Sequence, residues 1–170
     1  MNTIMLCCIL LFLSACPGVP RSSGTSPDSS PVYVSEKAGT LREAISGSTR
    51  AILKELDAGV SVAVISINAP DSFEGEYALE ELTLMLVRTQ KFRVVERRSL
   101  DIIREEQQFQ LSGEVDDATA VSIGHLIGAA FVITGSISPW ESEKYLRLRI
   151  LDVKTGQITI MTSVSYGGDV

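Results

Sequence analysis

From Thr40 onward the apolar positions change period in a way that marks out the elements of a folded domain. Leu41, Ile45, Ile52 and Leu56, with Ala44 and Ser48, recur at steps of three and four, which predicts an amphipathic helix ending near Gly59. Thr40-Leu41-Arg42-Glu43 reads as its capping box. Val60 to Ile67 is rich in β-branched residues and predicts a strand buried on both faces. After a turn-rich stretch over 68–75, Leu79, Leu82, Leu86 and Val87 predict a helix from Glu76 to Thr89, and Phe92 to Glu96 a short strand. Leu100, Ile103, Gln107 and Leu111 fall on one side of a helix over 97–111. Asp116 and Asp117 favour the positive end of a further helix reaching Ile127, and Phe131 to Ile137 reads as a strand. Tyr145 to Val153 and Gln157 to Tyr166 alternate about Lys154-Thr155-Gly156 and predict a hairpin.

This order implies an α/β fold. Residues 38–170 are expected to form one domain, a mixed sheet of about five strands flanked by about four helices, with parallel early strands joined by a right-handed crossover and an antiparallel C-terminal hairpin. In the first hairpin strand Leu146, Leu148 and Ile150 point one way and Tyr145, Arg147 and Arg149 the other. Arginine and tyrosine are enriched at binding hot spots, so the second set is a candidate partner face; the alternative is a solvated sheet surface.

The N-terminal segment differs in composition. Pro17, Pro20, Pro27 and Pro31 lie among Ser, Gly, Thr and Asp, so residues 16–37 are expected to be a flexible tether with a reach of roughly 25 Å. Before it, Leu10-Leu11-Phe12-Leu13-Ser14-Ala15-Cys16 is an apolar run too short to span a bilayer, ending in small residues and a cysteine. It resembles the lipobox of bacterial lipoproteins. That resemblance implies that residues 1–15 are a signal peptide and that Cys16 is cleaved on its N-terminal side and acylated, anchoring the chain to membrane. No Lys or Arg precedes Cys16, so the basic n-region is missing, which leaves open a start upstream of Met1. Pro17 follows the cysteine where the best-known inner-membrane retention signal has Asp.

A net charge of −6 argues against a nucleic-acid partner, which requires a basic face. Cys7, Cys8 and Cys16 all lie in or at the end of the leader, so the mature chain has no thiol pair for a disulfide, and no His or Cys cluster accompanies its carboxylates to hold a metal. No cofactor motif is present: Gly124-His125-Leu126-Ile127-Gly128 lacks the Lys-Ser/Thr of a phosphate loop and reads instead as close packing of a helix on the sheet. His125 has no nucleophile or orienting partner in the sequence pattern, and Glu74, Glu76, Glu80, Glu81, Glu105 and Glu106 fall on a loop and on polar helix faces, so no catalytic residue is assigned.

One ordered run is more specific. Phe92-Arg93-Val94-Val95-Glu96-Arg97, Leu100, Glu106-Gln107, Ser112-Gly113, Asp116, Ala120, Gly124, Gly128 and Thr134-Gly135-Ser136 together resemble the CsgG and LpoB superfamily of bacterial envelope lipoproteins, over about residues 38–166. Read from the residues, Glu96 and Arg97 form an ion pair or cap at a strand-to-helix junction, with a partner contact as the alternative; Gln107 lies near the end of the following helix. Gly113 would stop that helix, and Gly135 marks a close backbone approach or a bulge. The resemblance implies a non-catalytic accessory lipoprotein of the cell envelope, anchored in the outer membrane and facing the periplasm. Its partner would be a peptidoglycan synthase (a penicillin-binding protein) activated in the manner of LpoB. The alternatives are self-association as an oligomeric scaffold of CsgG or flagellar type and, more distantly, a small envelope hydrolase.

Replacing Cys16 by Ala should release the protein from the membrane fraction or leave it as an unprocessed precursor. Identical fractionation of mutant and wild type as mature membrane protein would rule out the lipid anchor.

Overall fold

The computed structural model describes residues 30–95 and 115–167. Its elements run β1 Val32–Ala38, α1 Leu41–Glu55, β2 Ser61–Asn68, α2 Ser72–Arg88, β3 Arg93–Val94, α3 Asp117–Ile127, β4 Phe131–Trp140, β5 Glu143–Asp152 and β6 Ile158–Gly167. The strands form one six-stranded sheet in the order β1-β6-β5-β4-β2-β3. The pairs β2–β3, β2–β4 and β1–β6 are parallel, whereas β4–β5 and β5–β6 are antiparallel. This is the expected mixed α/β sheet with its C-terminal hairpin, carrying one strand more than expected. The helix expected over 97–111 lies outside the described residues.

The additional strand corrects the expected tether at its C-terminal end. Residues 32–37 are not tether: Val32 to Ala38 pair in parallel register with Ile160 to Tyr166. Proline and serine upstream dominate the composition of the stretch, but Val32-Tyr33-Val34 is itself a β-forming run, and the free edge of β6 offers it a ladder. As an edge strand β1 carries Glu36 and Lys37, charges that discourage a further strand from adding there.

Local capping sets where the helices start. Thr40 accepts from the Glu43 amide at 3.3 Å, while the Glu43 carboxylate reaches back to the Gly39 amide at 2.8 Å. Helix α2 begins four residues before the expected Glu76, because Asp71 accepts a 3.0 Å hydrogen bond from the Phe73 amide. Helix α1 stops at Glu55, short of Gly59, because Leu56 is already extended; Gly59 instead makes the following turn at φ 81°.

Helices α1 and α2 cover one face of the sheet and α3 the other. Facing α1 and α2 are Val62, Val64, Ile133, Leu146, Leu148, Ile150, Ile160 and Val164; facing α3 are Ala63, Ile65, Val132, Leu151 and Val153. Strand β2 supplies both cores, which accounts for its almost unbroken burial. A register irregularity between Val64 and Ser66 returns Ile67 to the α1/α2 side. A buried polar contact ties α1 to the sheet, with the Thr162 hydroxyl donating to Ser48 Oγ at 3.1 Å.

Helix α3 lies close to the sheet because Gly124 has no side chain. A Cβ there would stand 2.7 Å from Val132 Cγ1 in β4 and 2.7 Å from Val153 Cγ2 just after β5, both buried, branched side chains. Gly124→Ala should therefore destabilise the domain by about 1–3 kcal/mol in urea titration. A gain in stability, the usual result of Gly→Ala within a helix, would show that α3 can lift off the sheet without cost.

Candidate functional site

Strand β5 carries alternate residues to opposite faces, and its neighbours determine what each face presents. Leu146, Leu148 and Ile150 are fully buried beneath α1 and α2. Tyr145, Arg147 and Arg149 lie on the α3 side, flanked across the ladders mostly by small residues. Ser138 and Ser165 border Tyr145, Ser136 and Ser163 border Arg147, and Thr134 and Met161 border Arg149. Strand β1 extends these rows with Lys37 beside Ser165, Ser35 beside Ser163 and Tyr33 beside Met161.

The three candidate residues are held differently. Arg149 Nη1 stands 3.3 Å from Asp117 Oδ1 and 3.4 Å from Oδ2, binding the strand to the first turn of α3. Arg147 is exposed, and its guanidinium carbon lies 5.4 Å from the centre of the Tyr145 ring, a cation–π contact that orders both side chains. Lys37 bonds Glu143 at 2.5 Å across the edge of the same face. That hydrogen bond, with the lysine charge, holds the Glu143 carboxyl below its usual range, and its counterpart holds the Lys37 ammonium above its own.

The remaining candidates are spread over the fold. Gly124 packs on the sheet, whereas Gly128, at φ 69°, closes α3 as a left-handed cap, so the two glycines of this spacing serve different ends. Gly135 faces α1 and α2; a Cβ there would meet Leu148 Cδ2 at 2.6 Å and the Arg147 carbonyl at 3.0 Å. Cys16, Glu96, Arg97, Gln107 and Gly113 lie outside the described residues. His125 is exposed in the last turn of α3. Glu74 is committed to structure: it accepts two bonds from Lys144 Nζ, at 2.9 and 3.0 Å, and one from the Tyr166 hydroxyl at 2.9 Å. Burial, followed by that carboxylate, pushes the Tyr166 phenol above its usual range and keeps it protonated. Glu81 pairs with Arg42 at 3.1 Å. Among the described residues no three His, Cys, Asp or Glu side chains converge in a way that could hold a metal, and no helix is long and apolar enough to cross a membrane.

Two features were not singled out from the sequence. Ser35 and Lys37 join the Tyr145 face only because β1 is a strand. The outward side of α2 exposes Phe73, Tyr77 and Leu84, visible in the sequence as apolar residues continuing around the helix, together with Val87, which the sequence pattern groups with Leu82 and Leu86 but which turns outward.

The described residues thus form a single mixed sheet with helices on both faces and an antiparallel C-terminal hairpin. Residues 71–147 match the family model described as the curli production assembly/transport component CsgG. Comparison with the curated proteins found no match. The LpoB C-terminal domain from Escherichia coli superposes with a TM-score of 0.66 at 21% identity, over 75% of this chain and 98% of that one. The corresponding domain from Salmonella enterica gives 0.64 at 21% identity with the same coverage. The NMR structure of Escherichia coli LpoB gives 0.62 at 20% identity, over 95% of this chain and 82% of that one. The chain therefore has the LpoB fold.

Asp116 caps α3 beside the Arg149 contact, accepting from the Thr119 amide at 2.8 Å and the Thr119 hydroxyl at 3.0 Å. The amide bond first, then the hydroxyl, lowers its pKa from the ordinary 3.8. A carboxyl depressed in the folded state stabilises above its unfolded pKa, and that stability is lost as pH falls through the folded value. Asn is an equally good cap that does not titrate. The melting temperature of Asp116→Asn should therefore fall less steeply than that of wild type as pH drops below 3.8. Parallel curves would show that this cap is not coupled to pH.

Proposed function

We propose that this protein is a non-catalytic accessory lipoprotein of the cell envelope, anchored through Cys16 in the outer membrane and facing the periplasm. In this reading it activates a peptidoglycan synthase in the manner of LpoB, docking it on the Tyr145–Arg147 face. The observation that carries the reading is the LpoB fold, matched over three-quarters of the chain and nearly all of the LpoB domain.

The topology supports that choice of face. Strand β1 starts opposite Ile160, itself paired with Ile150, whereas Lys37 lies opposite Ser165, which pairs with Tyr145. The chain from the anchor thus joins the sheet at one pole and Tyr145 sits toward the other, five strand residues or roughly 17 Å away. With residues 32–37 in the sheet, a coil from Cys16 to β1 reaches roughly 20 to 24 Å. The synthase must therefore extend toward the anchoring membrane to be met, and a binding face directed away from the anchor suits that approach.

The alternative of a CsgG-type pore fits less well. Such a channel needs additional strands of about nine to eleven residues to cross a membrane, and each of the six described strands is already hydrogen-bonded within the single sheet.

Arg149 is a poor site for testing this face, because reversing its charge would set two carboxylates against each other at Asp117. Arg147 carries the test. Arg147→Glu should leave the melting temperature within a degree or two, since surface changes of this kind stay within about 0.5 kcal/mol. In-cell cross-linking of a penicillin-binding protein to the same variant should fall about tenfold or more. Unchanged capture of the synthase would remove this face as the docking site; no synthase captured by the wild type would remove the activator reading itself.

A further inference from the structure

Helix α2 has two apolar sides. Its inner side, with Ala78, Leu82 and Leu86, is buried against the sheet and α1. On the outer side Phe73, Tyr77, Leu84 and Val87 are 81%, 45%, 41% and 51% exposed, and Leu79, Glu80, Thr83, Leu84 and Val87 border a shallow groove of about 300 Å³. Isolated exposed apolar residues are ordinary, but four in one helical stripe beside a groove form a contact surface.

Charge indicates what covers it. Glu80 lies one turn before Leu84 and Arg88 one turn after it, on the same outward side. A second α2 laid antiparallel, with its Leu84 against this Leu84, brings each Glu80 opposite the Arg88 of the other copy. The surface is thus complementary to itself, the condition for a two-fold interface. A lipid surface fits poorly, because Glu76 and Glu80 along the stripe would be repelled by anionic headgroups.

We propose that the outward face of α2 is a self-association surface: a second copy packs antiparallel on it, with Leu84 on the two-fold axis and Glu80 of each copy facing Arg88 of the other. In this register only residues 80–88 of the two helices overlap, about 12 Å of helix, and Phe73 and Tyr77 lie beyond the partner's α2, so the contact falls below the 1,200–2,000 Å² (roughly) of a stable complex and gives a weak dimer. Confinement of both copies to one membrane raises their effective concentration and favours it. The ion pairs set register and direction, while Leu84, Val87 and the groove supply the burial.

The test traps the dimer in cells expressing the full chain. With Leu84→Cys, oxidant should yield a disulfide-linked dimer, since the two-fold axis brings the sulfurs together. Wild type, which retains Cys7, Cys8 and Cys16, and Asp57→Cys, exposed on the turn before β2, supply the background. Adding Glu80→Arg or Arg88→Glu to Leu84→Cys should cut dimer yield about tenfold, and combining both reversals should restore it to within about twofold, because the swapped pair is again complementary. The proposal is overturned if Leu84→Cys gives no more dimer than Asp57→Cys, if the double reversal does not recover, or if the Leu84→Cys variant cross-links to a different protein instead of a second copy.

Discussion

Strand β5 is hydrogen-bonded on both sides, and its two faces cannot exchange. A slip of one residue would bury Tyr145, Arg147 and Arg149 beneath α1 and α2 and turn Leu146, Leu148 and Ile150 outward. Exposing each aliphatic side chain would forfeit about 1.5–3 kcal/mol, and burying a guanidinium without its partner would cost several more. Because β5 is central, its register propagates through β4 and β6 to the edge strand β1. A row of cationic and aromatic side chains on the α3 face therefore follows from the same alternation that builds the main core.

The helices are then positioned by contacts that reach outward from this register. Thr162 on β6 meets Ser48 on α1, and Tyr166 on β6 together with Lys144 on β5 meets Glu74 in the first turn of α2. Apolar packing alone leaves a helix free to slide along its groove, whereas a half-buried carboxylate with three hydrogen bonds does so only by losing them. Fixing α2 at its N-terminus settles which of its sides faces the sheet, and hence that Phe73, Tyr77, Leu84 and Val87 face outward. On the opposite face Gly124 lets α3 approach, and the Arg149–Asp117 contact sets its first turn against β5.

Where a single period dominated, the sequence was a sufficient guide. The alternation in β5 and the steps of three and four in α1 each indicate one element and one face, and the continuous apolar run of β2 indicates a strand buried on both. Other elements depended on partners distant in the chain. Strand β1 exists because β6 has a free edge, and the seven residues Val32–Ala38 follow a proline-rich run that outweighs them in any composition window. The start of α2 depended on Asp71, one residue within a stretch rich in turn formers. The candidate face was similarly half legible. Alternation placed Tyr145, Arg147 and Arg149 together, but the acid that claims Arg149 belongs to a helix 32 positions earlier, and sequence spacing gave no sign of that contact.

That contact divides the face into a structural part and an available part. Arg149 is half-buried against α3, and its charge is balanced by Asp117, so it contributes to holding the layers together. Arg147 lies two residues along the same strand, past the reach of α3, and rests on Tyr145 with small serines on either side. Its guanidinium stays ordered without being neutralised, so little conformational entropy remains to be lost when an acidic partner arrives. The α2 stripe, by contrast, carries Glu80 and Arg88 on either side of its apolar residues and is complementary to itself. The domain thus presents one cationic, aromatic face and one apolar face of mixed charge, which reduces the chance that a partner suited to one would be held by the other.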